Sequence, residues 1–409
     1  MPKPPYSSEN LTVLGSRLFF QSHLLLVGFS IVMNACVFYN RTPEYSEVPS
    51  RCLPFEWESF PSNTWVKLET CGDAPRKVFH GAASLAADRN EVFFFGADTH
   101  EVDYDNSVTR LNLENLSWTR DYEPDSIETY ELTQEGFPST SKGRPWAMHA
   151  FDTFDYHPPS RRVLFVGYPE HAHRAKNHLQ KKGMKLDNLR PATWLYDPDK
   201  KQWELLKTSS PNLFAHGLVW DSTTDQFIGH DGSSTFHFDL ERKSWKTYQS
   251  PSIPGWSQRL VLETGTRKIL SLGNNKGSGD LWTYALSNQK WEKIEVDETP
   301  LPANGAAIAY DTHQNILLYL ANDHSNSYNN PLGKSVTFFY SRSTQSWTRL
   351  NIKSPPLFGM NYLTQYDPVR QVFLHFEKTS KFDEQLEKNS KSDEQLAVWA
   401  LRWKVKKAK

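Results

Sequence analysis

Cysteine is almost missing from this sequence: three occur in 409 residues, Cys36, Cys52 and Cys71, and none follows. No Cys-x-x-Cys or Cys/His spacing forms, which excludes a structural zinc module. An excess of one charge is missing too. The 46 Lys and Arg stand against 47 Asp and Glu, so the net charge of −1 gives no global reason to expect nucleic acid as partner. Long amphipathic helical patterns are scarce. There is no Gly-rich phosphate loop after a strand, no Gly-x-Ser-x-Gly and no His-Glu-x-x-His, so nothing local specifies a reaction. Long apolar runs are absent after the first forty residues.

Within those forty, LFFQSHLLLVGFSIVMNACVF (18–38) lacks Asp, Glu, Lys and Arg and follows Lys3 and Arg17. It is long enough to cross a bilayer as a helix, and it also suits the hydrophobic region of an export signal. VMNAC, ending at Cys36, resembles a lipoprotein cleavage site with a poorly fitting Asn34. The expectation is a signal peptide or membrane anchor over 1–40, a linker over 41–62, a folded domain over 63–404 and a basic tail over 405–409. Export would leave Cys52 and Cys71 either as a disulfide or as two separate thiols.

What is present is aromatic and periodic. SVTRLNLENLSW (107–118) recurs in kind as ATWLYDPDKKQW (192–203), STFHFDLERKSW (234–245), DLWTYALSNQKW (280–291) and VTFFYSRSTQSW (336–347). Leu111, Tyr196, Phe238, Tyr284 and Tyr340 hold the fifth place; Trp118, Trp203, Trp245, Trp291 and Trp347 hold the last. Each unit also has a small-residue strand, a turn such as DSTTDQ (221–226) or DPVRQ (367–371), and an apolar strand such as EVFFFG (91–96) or RVLFVG (162–167). Four short antiparallel strands repeated at this interval predict a β-propeller. A tryptophan opening each outer strand would fill the wedge where neighbouring twisted sheets diverge.

At the chain's far end LAVWAL (396–401) places Trp399 in the aromatic column, yet no closing tryptophan follows. WVKLE (65–69) is an outer strand without a unit of its own. Joining them predicts an all-β, six-bladed propeller closed by an N-terminal outer strand. A seventh blade is the alternative if 120–143 hides a degenerate unit. Arg76, His80, the FFFG run and the tyrosine-to-tryptophan spacing resemble Kelch repeats over roughly 63–403, although the paired glycines of that family are mostly single here (Gly96, Gly167, Gly273). The resemblance implies the fold rather than a particular activity.

Candidate chemistry collects on one face. His80, His149 and His216 stand at matching places before three successive inner strands, a set able to hold a transition metal; the other units offer Ser257, Asn304 and Asn361. The long connection after RVLFVG carries His171, His173 and His178. Arg76 and Arg144 suit carboxylates or sulfates, and Trp146 and Trp256 suit stacking on sugar rings. Two expectations follow. One is an exported or membrane-tethered module binding glycan or protein through this face, with no cofactor. The other is an exported carbohydrate-active enzyme, a lyase or epimerase, with a His/Arg rim and a metal.

Overall fold

The computed structural model describes residues 52–75, 80–97, 99, 104–255, 259–275, 278–296, 307–322, 335–353, 356, 363–377 and 396–404, all within the unit Ser50–Lys409. The expected signal or anchor segment lies outside them.

Six antiparallel sheets form a ring. The first blade runs Ala82–Ala86, Glu91–Phe95, Thr109–Asn112 and Ser117–Arg120, from the channel outward. The next four begin with Phe154–His157, Leu218–Asp221, Leu260–Glu263 and Ala307–Asp311, and the sixth with Thr364–Asp367. Each innermost strand packs beside the next, and the sixth returns to the first. In the sixth blade the outer strand is Trp65–Leu68, paired antiparallel with Ala397–Leu401 in the register Trp65 to Leu401 and Lys67 to Trp399. The two chain ends are thereby hydrogen-bonded into one sheet, as the orphan strand required. Residues 120–143 hold no seventh blade; they form a two-stranded hairpin, Tyr130–Leu132 with Pro138–Thr140.

The repeat has a uniform local cause. In every blade the residue before the second strand adopts left-handed backbone: Asn90, Arg161, Asp225, Arg267, Asn315 and Gln371, with φ between 53° and 56°. That conformation ends a tight turn and lets the strand reverse. Acidic side chains at the close of the inner strand fix several of these turns. Asp221 accepts from the Thr223 and Thr224 amides, Asp311 from His313 and Gln314, and Asp367 from Val369 and Arg370.

No single core exists. Apolar side chains fill six separate layers, one between each pair of adjacent sheets. The fifth-place residues and the tryptophans face each other across the outer hairpins: Leu111–Trp118, Tyr196–Trp203, Phe238–Trp245, Tyr284–Trp291 and Tyr340–Trp347. In the sixth blade that place belongs to Leu401, opposite Trp65, and not to Trp399 as expected; Trp399 lies two positions earlier, opposite Lys67.

The indoles reach into the preceding blade. Trp245 donates to the Thr193 hydroxyl at 3.0 Å, Trp291 to Thr235 at 2.8 Å and Trp65 to Thr337 at 3.0 Å. Each threonine is three residues before its own blade's fifth-place aromatic. Where that position is apolar the bond is absent. Leu281 precedes Trp347 and Val398 precedes Trp118, and both indole nitrogens are buried without an acceptor. At the remaining seam Val108 stands in that position, and Trp203 turns to the Tyr122 hydroxyl at 2.6 Å. A wedge therefore becomes a latch only where a hydroxyl is supplied.

A strap leads into the ring. Cys71–Gly72 pairs parallel to Ser117–Arg120 as a fifth strand of the first blade, and Cys52 is disulfide-bonded to Cys71 with 6.3 Å between Cα atoms. Trp57, buried, donates to the Leu113 carbonyl, while Arg402 holds the Phe60 and Trp57 carbonyls.

Candidate functional site

Among the described residues, the mouth of the channel is built by the loops that lead into the first three blades and by the long second-to-third connection of the second blade. His80, in left-handed backbone at φ 56°, accepts the Ala150 and Phe151 amides on its carbonyl at 2.7 and 2.9 Å. That double bond ties the first leading loop to the second and brings His80 and His149 into ring contact, 4.3 Å between centroids. Phe151, also left-handed at φ 46°, adjoins both imidazoles. Side chains with a Cβ meet a cost of about 1–2 kcal/mol in this conformation, so the loops are held by their surroundings rather than by preference.

The connection after Arg162–Gly167 folds over this pair. It contains the helix His173–Lys181, whose Ala175 and Leu179 are buried and which packs against Ile127–Thr129 and Tyr130–Leu132. His171, just before the helix, lies 5.2 Å from the His149 ring and 5.3 Å from Phe214, and Phe214 stacks beside His149 at 5.9 Å. His80, His149 and Phe151 are buried, whereas His171 and Phe214 are partly open to solvent. The assembled feature is a floor of imidazole and phenyl rings with two exposed members.

His216 does not join it. Its ring adjoins His230 at 4.9 Å. Burial pushes His216 down to about 4 and His230 well below its ordinary value, so both are neutral at pH 7. Among the described residues no three His, Cys, Asp or Glu side chains converge as a metal would require. The expected trio is thus divided: His80 and His149 are together, and His216 pairs elsewhere.

Two more expected ligand residues are engaged within the fold, Trp146 buried and Arg144 partly exposed. Trp146 is fully buried; its indole donates to the Glu131 and Ser139 carbonyls, and its ring stacks on Tyr130 at 5.6 Å. It fastens the 130–140 hairpin and has no ring face left for a sugar. Arg144 donates to Asp125 at 2.9 Å and lies 3.9 Å over the Tyr122 ring. Asp125 is opposed by burial, but Lys142, Asn106 and Arg144 together hold its carboxyl below the ordinary range. Arg76, Trp256 and Asn304 lie outside the described residues, as do Ser257 and Asn361.

Below the mouth the inner strands are joined by a polar belt that patterning did not reveal. Arg259, leading into the fourth blade, donates to Asp152 at 2.5 Å and to the Ile308 carbonyl at 2.7 Å. The Leu260 amide binds the other Asp152 oxygen. Asp155 accepts from Ser84 of the first blade and from the Trp220 amide of the third, and Gln365 of the sixth donates to the Ala83 carbonyl. Burial pushes the Asp152 and Asp155 carboxyls upward, with Arg259 opposing it at Asp152 and the Trp220 amide at Asp155. The space left among Asp152, Asp155, Arg259, Tyr310, Gln365 and Tyr366 is about 150 Å³. The one sequence signal was charge at the start of inner strands, Asp152 and Asp155 in FDTFDYH and Arg259 in SQRL.

No protein-family model matches this sequence, and no curated protein is similar to it.

Proposed function

We propose that this chain is an exported or membrane-tethered, Kelch-type propeller that binds a glycan or protein ligand at the mouth formed by its first three blades. One observation carries the reading. Two partly exposed rings, His171 and Phe214, cover a buried His80–His149 pair at the mouth of the channel. Apolar ring faces beside polar imidazole edges suit saccharide or peptide surfaces. The aromatic-to-tryptophan hairpin, repeated in five blades, supports the Kelch reading. The Cys52–Cys71 bridge supports an oxidising compartment, and with it export through the 18–38 segment.

The test is a binding screen of the full-length protein against immobilised oligosaccharides and peptides, repeated with His171→Ala and Phe214→Ala. Both side chains are partly exposed, so the melting temperature should hold while binding falls about tenfold or more. Unchanged binding in both variants would remove the mouth from consideration.

The second reading, a carbohydrate-active lyase or epimerase, draws on the His80–His149 ring contact. With Arg144 engaged by Asp125, the His/Arg rim loses one of its two arginines. Elemental analysis separates the readings: stoichiometric metal that disappears in His80→Ala/His149→Ala favours the enzyme, and metal-free protein with ligand binding intact favours the module.

A further inference from the structure

Beside the mouth, the helix His173–Lys181 presents a second feature. Its inward face, Ala175 and Leu179, is buried. On the outward face His173, Arg174, Asn177, His178 and Lys181 recur at three- and four-residue spacing, so they share one side. With Ile127 they line a groove of about 380 Å³, within the size range of small-molecule sites.

The groove is cationic. Residues 168–190 carry Arg174, Lys176, Lys181, Lys182, Lys185 and Arg190 against Glu170 and Asp187. Some of that charge is engaged: Lys176 binds the Glu170 carbonyl and Lys182 the Glu128 carbonyl. The nearby Glu128 carboxylate accepts from the Ser126 hydroxyl and attracts His178 and Lys182. Arg174 and Lys181 have no carboxylate partner among the described residues. The Arg174 guanidinium lies 5.2 Å over the Tyr104 ring, and its backbone amide is held by the Tyr104 hydroxyl at 2.8 Å. A cation is thus positioned at the groove without being neutralised. His178 Nε2 is likewise buried without a partner.

We propose that this groove binds the sulfate or carboxylate groups of an anionic glycan. The proposal rests on the ligand-binding reading of the mouth and narrows its ligand class. Continuity argues for it: the His171 and His173 rings are 5.9 Å apart, so aromatic mouth and cationic groove form one surface. The lining mixes cations, the Asn177 amide and the apolar Ile127 side chain, which suits a charged sugar with hydroxyls and a flat apolar face better than a bare ion.

Isothermal titration calorimetry on the full-length protein would use a sulfated tetrasaccharide, its unsulfated counterpart and inorganic sulfate. Expected is tighter binding of the sulfated sugar than of either control, weakening as salt is raised. Arg174→Ala/Lys181→Ala should cost the sulfated sugar about tenfold in affinity and leave the unsulfated one unchanged. Both side chains are exposed on a helix and alanine favours helix, so the melting temperature should hold. Equal affinity for the two sugars, or sulfated binding that survives the double variant, overturns the proposal. Free sulfate binding as tightly as the sulfated sugar overturns its glycan part. Phe214→Ala tests the mouth separately: unsulfated binding lost there, without preference for sulfate, leaves the mouth reading standing and removes the groove. If neither sugar binds, the proposal falls; peptide binding at the mouth then remains to the wider reading.

Discussion

The propeller is held together in two different ways, at its channel and at its rim. At the rim one device is copied: a tryptophan leans into the preceding sheet, and in three of the six seams its indole finds a threonine hydroxyl. At the channel nothing is copied. Asp152 of the second blade reaches past the third to Arg259 of the fourth, Arg259 reaches on to the fifth, and Asp155, Ser84 and Gln365 complete the circuit through the first, third and sixth. The difference follows from geometry. Outer strands diverge and leave a wedge that any large flat side chain can fill, so one solution serves repeatedly. Inner strands converge on a narrow axis where six positions share one space, and they must be satisfied jointly.

If so, damage should differ in kind between the layers. The largest effect is expected at the belt: Asp152→Ala removes the carboxylate that meets the buried Arg259 guanidinium and should cost about 3–5 kcal/mol in denaturant unfolding. Asp152→Leu/Arg259→Met, which removes both charges, should recover most of it. A double variant as damaged as the single would mean that packing, not charge, is what Asp152 supplies.

Acid is expected to act next. Burial pushes His216 and His237 down to about 4 and His375 to about 3, so all three stay neutral in the fold. Above pH 6.5, the ordinary histidine value, this costs nothing. As pH falls toward 4 the unfolded chain takes up protons that the folded chain refuses. Stability should drop by about 1.4 kcal/mol per pH unit for each such histidine. Melting temperatures of His216→Asn across that window should show a shallower slope than wild type.

The disulfide tests the strap that adds a strand to the first blade. Cys52 and Cys71 are 19 residues apart, and Cys52→Ser/Cys71→Ser should lower stability by about 3 kcal/mol. The smallest effects belong to the seams. Thr193→Val, Thr235→Val and Thr337→Val should each cost about 1 kcal/mol. The reverse change, Val398→Thr beside the unpartnered Trp118 indole, should leave the melting temperature level or raise it. A loss equal to that of the forward changes would show that the hydroxyl does not seat the ring.

Much of the rim was legible in advance because it is periodic. The strand count per unit, the facing of fifth-place residue and tryptophan, and the donated strand from 65–69 all follow from spacing and from one unmatched segment at each end. Even the latch was written there, in the second letter of each twelve-residue stretch, but a threonine within a strand has no signature until its neighbour is known. Trp399 was misplaced because WVKLE fixes the register of the last sheet, and that register is a property of the pairing. Trp146 read as a ligand group because an aromatic in a loop looks exposed until an insertion covers it, here the 130–140 hairpin, and Arg144 because its Asp125 partner lies 19 residues away.

By itself, then, the order of residues determined the sheet as the repeating unit, the number of units and the way the circle is joined, because alternation, turn chemistry and wedge-filling are local requirements that each copy must meet alone. Only the tertiary structure decided which charged groups pair across the inner strands, which histidines meet and which aromatic rings remain partly open to solvent. Those outcomes depend on side chains from different blades competing for the same few ångströms, and no single segment carries that information.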